Sequence, residues 1–301
     1  MSDTPPLTRA QRQAARSSSP RSRSRGSGNK GRGLIALVIV VVLLVPLVLG
    51  GIWLYKKIQP NTIAIETSAV TRAPDVTLLL PPGLNTTEIA KTVATLPGKS
   101  EAKFLEVVNS GTIRSRYQPP EVTSLDGFLF PDTYFIGATE SEETIVRRLV
   151  DRFDEIADKI KLGTATEMTP YQTIIAASLI QEEAKLAEDA PLISAVIRNR
   201  LNDNMLLQID ATLCVVKGGC PPVPTDADKK IDSPYNTYLK VGLPPTPISS
   251  VTEASLVAAM NPSAVNYKYY VLSDANGKHA FAVTLAEHDR NVAAARAKGL
   301  L

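Results

Sequence analysis

The chain is poor in the residues from which most metal and redox chemistry is built. Its 301 residues include two cysteines, Cys214 and Cys220, and two histidines, His279 and His288. Two cysteines are too few for a disulfide scaffold or a four-cysteine zinc site, and two histidines leave no multi-histidine centre. There is no G-x-S-x-G elbow, phosphate-binding loop, dinucleotide fingerprint, H-E-x-x-H or paired C-x-x-C. The expectation is therefore a protein with no metal and no cofactor, and nucleotide-driven chemistry is disfavoured. The 17 glycines and 22 prolines follow no collagen period, and no internal repeat is visible. A hydrophobic content of 44% excludes a wholly disordered chain.

What charge there is sits unevenly. The net charge is +3, but residues 1–33 hold eight Lys/Arg and one acid. The other 268 residues then carry 25 basic and 29 acidic side chains. Basicity belongs to the tail and gives no ground for a nucleic-acid-binding domain. With almost no apolar residues, segment 1–33 reads as disordered. A solvated cytoplasmic tail is the plain reading, and binding of RNA or anionic lipid by SSSPRSRSRGSG is the other. Residues 34–55, LIALVIVVVLLVPLVLGGIWLY, are uncharged. As a helix they would reach about 33 Å, enough for a bilayer core of ~30 Å. Trp53 and Tyr55 stand where an aromatic belt belongs. A cleaved signal peptide fits less well, because no small-x-small site follows the run. The expected arrangement is a single-pass membrane anchor, N-terminus cytoplasmic, with residues 58–301 outside.

Beyond a polar linker at 56–76, hydrophobic periodicity predicts an α+β protein. Residues 77–116 read as strand, helix, helix: VTLLL, then TEIAKTVATL opened by Asn85-Thr86-Thr87-Glu88, then a helix starting after Ser100. That order is similar to a LysM-like unit, which either binds glycan or acts as a spacer. Residues 117–301 read as the larger, helix-dominated domain. Helices are expected at Ser141–Ile160, Tyr171–Leu186, Pro191–Asn202, Val251–Met260 and Thr284–Ala297. The second is apolar all round and so central. Residues 267–273 and HAFAVT predict a hairpin around Asp-Ala-Asn-Gly.

The central helix carries IIAASLIQEEAK, residues 174–185. Ala176, Leu179, Ile180 and Glu183 follow i, i+3, i+4, i+7, so Glu183 extends an apolar stripe. A carboxyl group there loses solvation and its pKa rises, which suits a general acid near neutral pH. The plain alternative is that Glu182 and Glu183 solubilise the helix end, pairing with Lys185 or Lys159. Further on, LLQIDAT alternates as an extended segment would and presents Gln208, Asp210 and Thr212 on one edge. Arg198 and Arg200 read as partners for acids. Cys214 and Cys220, six positions apart across CVVKGGC, are expected to bridge outside the cytoplasm. Tyr235, Asn236, Thr237 and Tyr238 lie in a proline-rich loop and offer the aromatic and amide groups carbohydrate sites use. Each histidine reads as structural.

Six blocks, in order, carry a family resemblance: LDGFLFPDTYFI (125–136), AASLIQEEA (176–184), AVIRNRLNDNMLLQIDATL (195–213), SPYNTYLKVGLPPTPI (233–248), AAMNPS (258–263) and KYYVLSDANGKHAFAVTLAEHDRNV (268–292). They resemble the YceG-like family of endolytic murein transglycosylases. The resemblance implies cleavage of the MurNAc–GlcNAc bond of peptidoglycan without water, leaving a 1,6-anhydro-MurNAc end. It implies Glu183 as the catalytic acid, the last acid of an A-S-[IL]-[IV]-x-x-E pattern. It implies that Gln208, Asp210, Asn236 and Tyr238 position sugar, with Glu182 beside them. Gln181 stands where relatives often have Glu, and Asp126-Gly127 where they usually have Glu-Gly. Glycan polymerases and transpeptidases of wall synthesis are the implied partners. Two other readings stay open: a non-catalytic scaffold, and a hydrolase in which Asp210 is the second carboxylate.

Overall fold

The computed structural model describes residues 75–164, 167–220 and 224–301. The expected tail and membrane span lie outside the described residues, as does the linker up to residue 74. The chain divides into Met1–Val70, outside the described residues, and a compact unit, Thr71–Leu301. Among the described residues no helix is long and apolar enough to cross a membrane.

The compact unit opens with β1, Val76–Leu79. Two short helices follow, α1 (Thr86–Ala94) and α2 (Glu101–Asn109). Asn85 starts α1 as the sequence predicts. Its side chain accepts from Glu88 N–H at 3.0 Å, and the Glu88 carboxylate accepts from Asn85 N–H at 2.9 Å. This reciprocal box satisfies two amide donors that a helix start leaves orphaned. β2 (Thr133–Ile136) then returns antiparallel to β1, with Val76 opposite Ile136 and Leu79 opposite Thr133. The strand–helix–helix unit is thus completed by a strand from beyond the expected seam at 116/117. Four-residue strands give no periodicity long enough to reveal that pairing.

The larger part is helical. α3 spans Glu142–Lys159 and buries Ile145, Leu149, Phe153 and Ile156 along one face. α4, Pro170–Glu183, starts at a Thr169–Gln172 capping box with Pro170 in its first turn. Every residue of α4 from Thr173 to Ile180 is buried, which makes it the central helix. α5 (Ala190–Asn202), α6 (Ala211–Lys217) and α7 (Glu253–Met260) pack around it. β3 (Tyr269–Leu272) and β4 (His279–Ala282) form the predicted hairpin, covered by α8 (Leu285–Ala297).

Three contacts along α4 fix it in place. Ser178 is fully buried, and its hydroxyl accepts from Ile248 N–H at 3.0 Å. Thr252, the cap of α7, donates to Gln181 Oε1 at 2.8 Å. Gly127 sits at φ 80°, and a Cβ there would lie 2.6 Å from the Pro247 ring and 3.0 Å from Ile174. Only glycine lets the 125–128 turn lie this close to α4 and the 247 loop.

Candidate active site

α4 ends at Glu183, three residues before the predicted Leu186. A helix terminus is thereby placed inside the fold, and Glu182 and Glu183 diverge. Glu183 lines a cavity of about 280 Å³ together with Arg200, Leu207, Gln208, Asp210, Tyr238, Tyr270 and His288. Glu182 faces the other way, into a cavity of about 600 Å³ bounded by the start of α1, Asp126 and the Cys214–Cys220 loop. Each hollow thus receives one of the two adjacent acids. The two hollows flank the same turn of α4 and the neighbouring residues Asp210 and Ala211.

Glu183 is half-buried as a residue, but its carboxyl is enclosed by protein. Desolvation pushes its pKa from 4.5 up to about 7, opposed by a hydrogen bond from Tyr270 and aided by the charges of Asp210 and Glu182. The Tyr270 hydroxyl is raised well above the ordinary phenol range by burial and by facing that carboxylate. It therefore acts as a donor to Glu183. The exposed Glu182 is also raised, chiefly by partial desolvation and against a hydrogen bond from Ser249. The lysines expected to pair with these acids lie elsewhere: Lys159 binds Glu253 at 2.7 Å, and Lys185 packs on Gly277.

Residues 206–210 form the opposite wall. The alternation predicted for LLQIDAT holds from Leu207 to Asp210, with Leu207 and Ile209 buried and Gln208 and Asp210 exposed. It fails at Thr212, fully buried because α6 has begun; the period changes from two to 3.6. Gln208 adopts φ 51°, a left-handed conformation rare for a side-chain-bearing residue. Its N–H is held by Thr237 O at 3.0 Å. Tyr238 donates its hydroxyl proton to Asp210, whose charge and hydrogen bond, after burial, raise the phenol pKa.

Asn236 is not on the groove, which corrects the expectation for that residue. It is fully buried, donating to Lys229 O at 3.1 Å and Ile231 O at 2.8 Å and accepting from Tyr238 N–H at 3.0 Å. Every polar atom of its amide is used to fold the loop that presents Tyr238. Arg200 corrects a second expectation. Arg198 finds an acid, Glu167, at 2.8 Å, but Arg200 makes no ion pair among the described residues and lines the cavity instead. His279 is structural as predicted, its ring 3.0 Å from Asp189. Cys214 and Cys220 are joined.

Tyr270 is a site residue that local sequence did not single out, and His288, read as structural, also lines the cavity. Tyr270 reads only as one residue of a strand, and Arg200 as one charge of a helix. Their roles arise where β3 crosses the ends of α4 and α5.

A carboxyl tuned near neutrality, facing tyrosines, an amide and a second carboxylate in an open polar hollow, is suited to general acid–base chemistry. Comparison with known proteins agrees. The YceG-like family profile matches residues 51–294, and the chain belongs to that family. An endolytic murein transglycosylase of Bacillus subtilis is 33% identical over 190 residues, covering 62% of this chain and 51% of the relative. One of Streptococcus pneumoniae is 31% identical over 246 residues, covering 72% and 44%. The chain thus spans about half the length of the curated relatives it matches. A crystal structure of a YceG-like protein from Listeria monocytogenes superposes with a TM-score of 0.65 at 30% identity, covering 72% of this chain and 76% of that one.

Proposed function

We propose that this chain is a peptidoglycan lytic transglycosylase that cuts MurNAc–GlcNAc bonds within glycan strands. The observation that carries the reading is the enclosed Glu183 carboxyl, with a pKa of about 7, on an open polar cavity. Its relatives' activity supports the same reading. At such a pKa one side chain serves as acid and then as base. Protonated Glu183 gives its proton to the glycosidic oxygen. The C1–O bond breaks, and the released GlcNAc keeps the proton as its 4-hydroxyl. The sugar's own N-acetyl group stabilises the positive charge at C1. The MurNAc C6 hydroxyl then closes on C1 while Glu183 takes its proton, which regenerates the acid and consumes no water. Tyr270 supports the carboxylate between the two transfers, because its hydrogen bond favours the charged form.

Asp210 shares the cavity, so hydrolysis is the competing outcome. Its oxygen already accepts from Tyr238, which fits a positioning role better than a free base. In this reading residues 34–55 anchor the chain with its N-terminus cytoplasmic and its catalytic part outside the membrane. The β1–α1–α2–β2 unit serves as a LysM-like module. Its partners are glycan strands and, among proteins, the polymerases and transpeptidases of wall synthesis.

The test is digestion of purified cell wall by the full chain in detergent, with mass analysis of the fragments. Anhydro ends, one water lighter than reducing ends, are expected. Glu183→Gln should abolish them while leaving the far-UV spectrum unchanged. Reducing MurNAc ends would overturn the transglycosylase assignment in favour of hydrolysis, and unchanged release by Glu183→Gln would remove this residue from the mechanism.

A further inference from the structure

Arg200 is the only Arg or Lys among the described residues lining Glu183's cavity. Its side chain is nine-tenths buried, at 8% exposure. Nε donates to Lys268 O at 2.6 Å, and Nη1 donates to Leu206 O at 3.0 Å and Leu207 O at 2.8 Å. These carbonyls hold the guanidinium rigid. Nη2 has no hydrogen-bond partner among the described residues, and no carboxylate lies within ion-pair distance. A guanidinium keeps its charge when buried, and burying an unpaired charge is costly. The Tyr269 ring, 5.2 Å from the guanidinium carbon, offsets part of that cost. The Nη2 edge is thus the part of the guanidinium left to meet a ligand.

The cavity limits which anion fits. Glu183 and Asp210 lie in the same hollow, so a doubly charged phosphate meets two acids for one cation. A single carboxylate on an otherwise neutral molecule meets the same groups with half the charge, and so with half the repulsion. Resting on the function proposed above, the substrate offers this group. The muramic acid sugar carries a 3-O-lactyl arm that ends either in a free carboxylate or in a peptide with carboxylates of its own. We infer that the Nη2 edge of Arg200 is a carboxylate subsite that recognises this acidic arm and thereby sets the register of the strand against Glu183.

The experiment is calorimetric titration of the full chain in detergent, carrying Glu183→Gln so that nothing is cut. Three MurNAc–GlcNAc oligomers serve as probes: one with free lactyl carboxylates, one with each lactyl carboxyl capped as a methylamide, and one with stem peptides. The free-carboxylate oligomer should bind about tenfold or more tighter than the methylamide, as a charge-assisted hydrogen bond requires. Arg200→Gln should erase that preference, so that the free-carboxylate and methylamide oligomers bind the variant equally. Should Arg200→Gln fail to fold, the preference of the unmutated Arg200 protein still decides the matter. If the peptide-bearing oligomer also loses affinity in Arg200→Gln, the peptide supplies a carboxylate; if it does not, the lactyl arm is the source. Methylamide binding equal to carboxylate binding sinks the subsite while leaving the glycan-binding reading intact. Equal loss for both probes in Arg200→Gln would make Arg200 a purely structural clamp. Failure of all three oligomers to bind would take down the glycan reading itself, and the subsite with it.

Discussion

Glu183 shows how much one side chain depends on its surroundings. Spacing alone puts it at the end of an apolar stripe, and enclosure in the fold then carries its pKa to about 7. That shift has a thermodynamic consequence with a definite sign. The folded protein holds this proton more tightly than the unfolded chain, so stability is greatest below pH 4.5 and is lost as pH rises towards 7. The loss is on the order of 2–3 kcal/mol. Glu183→Gln carries no charge and should melt above the parent protein at pH 8 but close to it at pH 4.5, as differential scanning calorimetry would record. Equal melting temperatures at pH 8 would show that the carboxyl is solvated. Tyr270→Phe removes the one hydrogen bond that lowers this pKa. The alkaline limb of the pH–rate profile should therefore move upward, with a smaller kcat where Glu183 must act as base. An unmoved limb would separate Tyr270 from the carboxyl. Nothing in the strand pattern of KYYVLS marks Tyr270 over Tyr269, since a strand turns adjacent side chains to opposite faces and which face meets the site is a tertiary fact.

At the scale of elements, the helices were the most legible part of the sequence. Ser141, Thr169 and Thr284 each cap the helix that the periodicity predicts after them. Apolar stripes and capping chemistry are local signals, read within a few turns. The site loops were less legible because the hydrogen bonds that fold them follow no regular spacing; those of Asn236 reach Lys229, Ile231 and Tyr238. Asn236 has the composition of a sugar ligand and the geometry of a bracket. Asn236→Ala should cost about 2 kcal/mol in urea denaturation, since it strips partners from two carbonyls and one amide at a fully buried position. A residue in the groove would instead lower glycan affinity and leave the urea midpoint in place. Gln208 and Asp210 could be read from alternation because two exposed positions flanking a buried one suffice, whereas Thr212 could not, because the switch into α6 leaves no local mark.

At the scale of the whole molecule, the two cavities on either side of the α4 terminus suggest how a long strand would pass the acid. The Cys214–Cys220 loop forms part of the wall of the larger one. Closing so short a loop should contribute about 2 kcal/mol through the unfolded chain. The double Cys214→Ser, Cys220→Ser protein should therefore melt lower while cleaving short oligomers at the Glu183 site at an unchanged rate. A large loss on short oligomers would mean that the bridge shapes the catalytic cavity as well. The seam expected at 116/117 was not visible as a strand partnership, because β1 and β2 are four residues each and lie far apart in sequence.

Composition and local pattern sufficed for the uneven charge and the helices with their caps; they placed Glu183 at the end of an apolar stripe, and only the family resemblance singled it out as the acid. Those properties follow from neighbours within a turn or two of chain. The fold alone decided that Glu182 and Glu183 open on different hollows, that Asn236 is internal, and that Tyr270 and Arg200 stand beside the acid. Each of these depends on burial, and the placing of Tyr270 and Arg200 on contacts between residues tens of positions apart; desolvation, which sets the pKa of Glu183, exists only once the fold has closed.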